Sequence, residues 1–124
     1  MSSRRQLKIG RLLQETLGEI FSRKGADYYG RALVSIISVN VTPDLLLARV
    51  NVSIYNVDDK EAVVTQLTQN KADIKKQLGQ KLRNHFRKMP QLEFYLDNTL
   101  EEADRLERIL KDLDKGEEQD NSDQ

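Results

Sequence analysis

Two runs rich in β-branched residues, separated by little more than Thr42-Pro43-Asp44, constrain this chain more than any other feature. Residues 32–41, Ala-Leu-Val-Ser-Ile-Ile-Ser-Val-Asn-Val, read as a strand that stops at that turn. The following run alternates cleanly. Ala48, Val50, Val52 and Ile54 fall on one side, and Arg49, Asn51, Ser53 and Tyr55 on the other, as in a half-buried strand. A connection this short makes the two an antiparallel hairpin. Its apolar face needs a second layer to cover it.

The flanking sequence supplies that layer. Ile9, Leu13, Leu17, Ile20 and Phe21 recur every three or four residues, the stripe of a buried helix face running from Arg5 to Phe21. Gly18 costs this helix about 1 kcal/mol relative to Ala. The helix is predicted to stop near Lys24-Gly25, followed by a polar and aromatic loop through Tyr28, Tyr29 and Gly30. After the hairpin, Asp58-Asp59 can cap a helix start. A stripe of Val63, Val64, Leu67, Ile74, Leu78, Leu82 and Phe86 follows, with a break expected close to Asn70-Lys71-Ala72. Met89-Pro90 ends the helical run, because the residue before a proline is pushed toward extended backbone. Leu92, Phe94 and Leu96 then alternate with Glu93, Tyr95 and Asp97 as a third strand. Thr99-Leu100-Glu101-Glu102 has capping-box spacing and opens a last helix with Leu100, Ala103, Leu106, Ile109, Leu110 and Leu113. Residues 115–124 contain no apolar side chain and read as a disordered acidic tail. The order is α-β-β-α-α-β plus a C-terminal helix: an α+β fold, a three-stranded sheet with helices on one face. At 124 residues one domain is expected.

Most catalytic chemistry is excluded by what the chain lacks. It has no cysteine, which removes disulfides, thiolate metal sites and cysteine nucleophiles and fits a reducing compartment. The single histidine, His85, sits beside Phe86 in a basic segment with no second ligand at metal spacing, so it reads as a surface or boundary residue. Asp58-Asp59 and Glu101-Glu102 fall at helix starts, where capping accounts for them. Asp112-Leu113-Asp114 lacks the remaining ligands of a calcium loop, and no glycine-rich phosphate loop occurs. Asn51-Val52-Ser53 matches a glycosylation acceptor but lies inside a strand. No enzyme activity, cofactor or metal is expected. Neither a secretory signal nor an apolar run of the ~18 residues a membrane span needs is seen, so a cytoplasmic protein without membrane attachment is expected.

The positive signal is charge. The formal net charge is zero, yet residues 1–89 carry 16 Lys and Arg against 8 Asp and Glu, and residues 90–124 carry 4 against 12. Such a dipole points to a polyanion partner for the basic part. Between Lys71 and Lys88 there are seven basic residues and one acid, Asp73. On a continuous helix Lys71, Lys75, Gly79, Arg83 and Arg87 form a row beside the core stripe, with Lys76, Lys81 and Lys88 adding to the charge. Gly79, in the middle of the row, either admits something to the backbone or eases packing. The first helix adds Arg4, Lys8 and Arg11 on one face, with Arg5 beside them. Two cationic helix surfaces in one small domain suit phosphate binding, which positions RNA without reading its sequence.

Several stretches, in order, resemble the ribosome-binding factor A family of bacteria. Arg5-Gln6-Leu7-Lys8-Ile9 is similar to the family's opening helix segment, and residues 36–52, with Asp44, Leu45, Ala48 and Val50, resemble its hairpin. The most specific likeness is residues 87–99, Arg-Lys-Met-Pro-Gln-Leu-Glu-Phe-Tyr-Leu-Asp-Asn-Thr, to the family's R-x-x-P-x-L-x-F-x-x-D-x-(S/T) segment. The resemblance runs from about Arg4 to Leu110 and implies a type II KH-like fold. It also implies binding to the small ribosomal subunit, help in late maturation of its rRNA, and support of growth in the cold. One departure stands out: the family's Ala-x-Gly kink between its middle helices falls here on Asn70-Lys71-Ala72, without glycine.

The expected organisation is a KH-like RNA-binding domain over residues 1–98, a C-terminal helix over 99–114 and the acidic tail over 115–124. A monomer is expected. The expected function is ribosome assembly through phosphate contacts from Arg4, Arg5, Lys8, Arg11, Lys75, Lys76, Lys81, Arg83, Arg87 and Lys88. The alternative is a protein-interaction module that docks through the last helix, with Leu106, Ile109, Leu110 and Leu113. That helix could equally complete the core.

Overall fold

The computed structural model describes residues 3–97 and 105–113. Helix α1 spans Arg4–Tyr29, strands β1 and β2 span Leu33–Val41 and Leu47–Tyr55, α2 and α3 span Lys60–Gln69 and Lys71–Leu82, and β3 spans Gln91–Leu96. A further helix covers 105–113. The sheet order is β1-β2-β3, with β1 antiparallel and β3 parallel to the central β2. This is the α-β-β-α-α-β order expected from the sequence.

Central β2 follows its own alternation except at Ser53, expected on the polar side but buried. Ala48, Val50, Val52 and Ile54 are essentially inaccessible, and they meet Leu13 and Leu17 from α1, Leu67 from α2, and Ile74 and Leu78 from α3 in one core. Arg49 and Tyr55 lie on the open side. Burying a Val or Leu side chain stabilises by roughly 1.5–3 kcal/mol, so this face is the main reason the two layers hold. A bulge between Ile36 and Ser38 shifts the β1–β2 register by one residue, and Asn51 Nδ2 donates to Ser38 Oγ at 3.0 Å just beyond it.

Helix α1 starts on a capping box. Ser3 Oγ accepts from the Gln6 N–H, and Gln6 Oε1 accepts from the Ser3 N–H. The same Gln6 side chain donates from Nε2 to the Val41 carbonyl at 2.8 Å, fixing the helix start to the end of β1. Four residues on, Gly10 packs so close to β1 that a Cβ would sit 2.6 Å from the Val39 carbonyl oxygen.

Two sequence expectations are corrected, and a reading left open for the last helix is decided. The helix does not stop at Lys24-Gly25, and Tyr28 and Tyr29 are not in a loop: α1 runs to Tyr29, with Gly30 at φ 69° as its C-cap. Gly25 is buried inside the helix, where a Cβ would collide with the Tyr29 hydroxyl, and Tyr29 packs edge-on to Phe21 at 5.5 Å. The buried stripe thus continues past the glycine to Tyr28 and Tyr29.

The long basic helix ends at Leu82, not at Met89. Helix continued to Lys88 would carry the chain about 9 Å further along its axis. The segment instead turns back, with the His85 N–H on the Leu82 carbonyl, buries Pro90, and sets the Gln91 N–H on the Leu46 carbonyl at 2.8 Å to begin β3.

The last helix does not complete the core. All of 105–113 is exposed, with Leu106, Ile109, Leu110 and Leu113 each about half accessible. The capping box at Thr99–Glu102 and the tail 115–124 lie outside the described residues.

Other expectations hold in detail. Asp59 caps α2 by accepting from the Ala62 N–H at 3.1 Å. The break falls at Asn70, whose N–H bonds back into α2 while its Nδ2 donates to the Gln66 carbonyl at 2.8 Å and the Tyr28 carbonyl at 3.2 Å. A side-chain amide here ties the junction of the two helices to the end of α1.

Candidate nucleic-acid interface

Helices α1 and α3 lie side by side and antiparallel, as two polar contacts between them show. The Tyr28 hydroxyl, near the end of α1, donates to Asp73 Oδ2 in the first turn of α3 at 2.6 Å. Lys81 Nζ, in the last turn of α3, lies 3.6 Å from Glu19 Oε2 halfway along α1. The next residues in each direction, the start of α1 and the segment after Leu82, therefore converge at one end of the molecule.

That end is cationic. Arg5 from the first turn of α1 meets Arg87 and Lys88 from the segment before β3 around a hollow of about 280 Å³. Its remaining wall is Ile9, the turn Asp44-Leu45-Leu46, His85 and Phe86. Arg4, Lys8 and Arg11, spaced four and three apart, form an exposed stripe on the neighbouring side of α1, around Leu7. With no counter-charge paired to them among the described contacts, these side chains keep their donors available to an incoming phosphate.

The structure separates the other candidates from this end. Lys75 is half-buried and Lys76 exposed in the first half of α3, near Asp73 and Tyr28. From Lys75 to Arg83 the rise is about 12 Å, so these lysines serve a different part of the surface. Lys81 faces Glu19 in an exposed ion pair of small worth. Arg83 is exposed at the C-cap of α3, between the two groups. Gly79 is not required for packing, since a Cβ would meet only Met89 Cγ, at an ordinary 3.8 Å.

Sequence reasoning placed a turn at Thr42-Pro43-Asp44 but gave it no part in a site. Asp44 Oδ1 accepts from the Thr42 hydroxyl at 2.6 Å and from the Leu46 N–H at 3.0 Å. These bonds, the hydroxyl's first, hold the Asp44 carboxyl below the usual carboxylate range. They also support Leu45 at φ 61°, a left-handed conformation that a leucine adopts only when its surroundings impose it. The available signal was Pro43-Asp44, whose carboxylate can bond the backbone two residues on. Phe86 is half-buried against the core and lines the hollow, whereas the uninterrupted stripe had placed it wholly in the helix face.

Among the described residues no cluster of three His, Asp or Glu side chains could hold a metal ion, and no helix is long and apolar enough to cross a membrane.

Comparison with known proteins agrees with the architecture. Residues 5–110 match the family model of ribosome-binding factor A. A ribosome-binding factor A of Chlorobium phaeobacteroides is 39% identical over 112 residues, which cover 90% of this chain and 95% of that one. The crystal structure of ribosome-binding factor A from Thermus thermophilus superposes with a TM-score of 0.63 at 18% identity, covering 73% of this chain and 94% of the other. A Thermus thermophilus factor fitted into the cryo-EM map of a 30S complex gives 0.60 at 18% identity, covering 75% and 96%. At that identity the two structures speak for the fold alone, a KH-like α+β arrangement.

Proposed function

The chain belongs to the ribosome-binding factor A family, and from that premise we propose that it binds the small ribosomal subunit and assists late maturation of its rRNA. It acts by binding and not by catalysis, as a cytoplasmic monomer, and supports growth in the cold. The contact is made by phosphates of the rRNA with Arg4, Arg5, Lys8 and Arg11 on α1 and with Arg83, Arg87 and Lys88 after α3. The observation that carries this reading is the convergence of Arg5, Arg87 and Lys88, more than 80 positions apart in sequence, around one hollow at the end where α1 begins. The Thermus thermophilus relative, whose homology model was fitted into the map of a 30S complex, supports the choice of partner. Released counterions make such binding steeply salt-dependent: about five phosphate contacts give a log-log slope of roughly −4. Co-sedimentation with immature and mature small subunits at two salt concentrations tests it. Selective, salt-sensitive association with the immature particle is expected, and Arg83→Glu with Arg87→Glu abolishes it without moving the thermal transition. A slope near zero overturns the mechanism.

A second reading rests on one specific observation, the exposed Leu106, Ile109, Leu110 and Leu113 of the helix over 105–113. In it, that apolar face docks on a protein partner.

A further inference from the structure

The geometry points to the hollow between Arg5, Asp44 and Phe86 as a pocket for one unstacked nucleobase carrying an exocyclic amino group, held by an RNA strand whose phosphates lie on Arg5, Arg87 and Lys88. The inference rests on the phosphate-binding reading above and adds to it a base-contacting site, which phosphate contacts alone would not need.

Three features carry it. The first is shape and lining. At about 280 Å³ the hollow falls just below the roughly 300 Å³ at which ligand sites begin, and it has room for a single base. Its lining is apolar at Ile9, Leu45 and Leu46 and aromatic at Phe86. Phe86 is also packed against the core, so the ring is held in place before any ligand arrives. Unpaired bases are bound in this way, by stacking on an aromatic ring fixed by the protein.

The second feature is a carboxylate in a cationic mouth. A pure phosphate site gains nothing from Asp44, which would repel the ligand. Oδ1 of Asp44 is committed to Thr42 and Leu46, and no hydrogen bond is described for Oδ2. The carboxyl stays ionised, so Oδ2 is an acceptor only. It suits the amino group of cytosine, adenine or guanine. The corresponding edge of uracil presents carbonyl oxygens on both sides of its single N–H, which a carboxylate repels.

The third feature is strain. Leu45 is held at φ 61° by the two bonds to Asp44 Oδ1 and by its own N–H on the Thr42 carbonyl at 2.8 Å. A leucine in this conformation costs stability, and here it sets the wall of the pocket and the position of the carboxylate together.

The test is an NMR titration of the full chain with cytidine 3′,5′-bisphosphate, uridine 3′,5′-bisphosphate and ribose 5-phosphate. Cytidine bisphosphate is expected to move the Phe86 ring signals and the Leu45 and Leu46 amides upfield, and to bind about fivefold or more tightly than the uridine compound. Ribose 5-phosphate should move only the arginine side-chain signals. Asp44→Asn keeps the acceptor for Thr42 and Leu46 but turns the free position into a donor, so it should abolish or invert the cytidine preference. Phe86→Leu should remove the upfield shifts and leave the arginine response intact. Equal responses at Phe86 to all three compounds, or none to any, overturn the base pocket. A cytidine preference that survives in Asp44→Asn overturns the role of the carboxylate. The phosphate reading is judged separately, by the salt dependence of small-subunit binding, and can stand when the pocket fails.

Discussion

The hydroxyl of Tyr28 donates to Asp73 Oδ2 at 2.6 Å across 45 positions of sequence, joining the end of α1 to the first turn of α3. Asn70 strengthens the same junction through its bond to the Tyr28 carbonyl. The basic segments converge at the opposite end of the helix pair. Tyr28→Phe keeps the buried ring and loses the bond, so a loss of about 1 kcal/mol and a thermal midpoint lower by roughly 4 °C are expected. Burial first, and then the carboxylate, raise the Tyr28 hydroxyl above the ordinary phenol value. A raised folded value gives stabilisation that is complete below the unfolded value of about 10 and lost as pH climbs through the folded one. The stability gap between wild type and Tyr28→Phe should hold constant from neutral pH to about 9 and narrow above about 10. A gap that widens in alkali would contradict the bond.

Two glycines of α1 should respond with opposite sign. At Gly10 a Cβ would meet the Val39 carbonyl at 2.6 Å, and backbone cannot yield as a flexible side chain does. Gly10→Ala should destabilise by about 1–3 kcal/mol. At Gly18 nothing lies within 4 Å, so Gly18→Ala should stabilise by up to about 1 kcal/mol through helix propensity. Denaturant titrations of both measure this. The same sign for both would mean that α1 does not lie on β1 as described.

A third glycine settles what the sequence left open. A Cβ on Gly79 would have only an ordinary contact with Met89, so Gly79→Ala should raise stability by up to about 1 kcal/mol. Small-subunit affinity should stay within about twofold, because the cationic end begins at Arg83. A stable variant that binds poorly would place RNA against that turn of α3.

The parts legible in the sequence are those fixed by local periodicity and capping. Alternation in β2, the Asp59 cap and the break at Asn70 are each properties of a few neighbouring residues. What could not be read depends on distant partners. Lys24-Gly25 has the local chemistry of a helix stop, yet the Tyr29 ring needs the space at Gly25 and the helix continues. Basic residues at four-residue intervals imply one row to Arg87, but the chain must return to Leu46 to start β3, and this cuts the row at Leu82. The candidate site was legible as a set of charges and not as a place. Arg5, Arg87 and Lys88 come together only because α1 and α3 are antiparallel, while Lys75 and Lys76 are carried to the other end.

That division can be tested with charge reversals that leave the core untouched. Arg5→Glu combined with Lys88→Glu should remove two phosphate contacts and flatten the salt slope of small-subunit binding by roughly 1.5. Lys75→Glu with Lys76→Glu makes the same change of net charge at the far end and should flatten it far less. Both double variants should keep the wild-type thermal midpoint, because none of the four side chains is buried. Equal losses from the two pairs would show that overall charge, and not the convergent end, drives association.

Removing residues 99–124 separates the two functional readings. Every residue of 105–113 is exposed, so the truncated chain should lose no core contact from that helix and its midpoint should move by no more than about 4 °C. The deletion also removes an excess of acidic charge, eight more Asp and Glu than Lys and Arg in residues 90–124 less Glu93 and Asp97. If rRNA phosphates are what the protein grips, affinity for the small subunit should hold or rise, with an unchanged salt slope, since the cations at Arg5, Arg87 and Lys88 remain. If the exposed row of Leu106, Ile109, Leu110 and Leu113 is the docking element, binding should collapse while the fold stays intact. Sedimentation with immature subunits, run beside a thermal melt of the same preparation, distinguishes these outcomes.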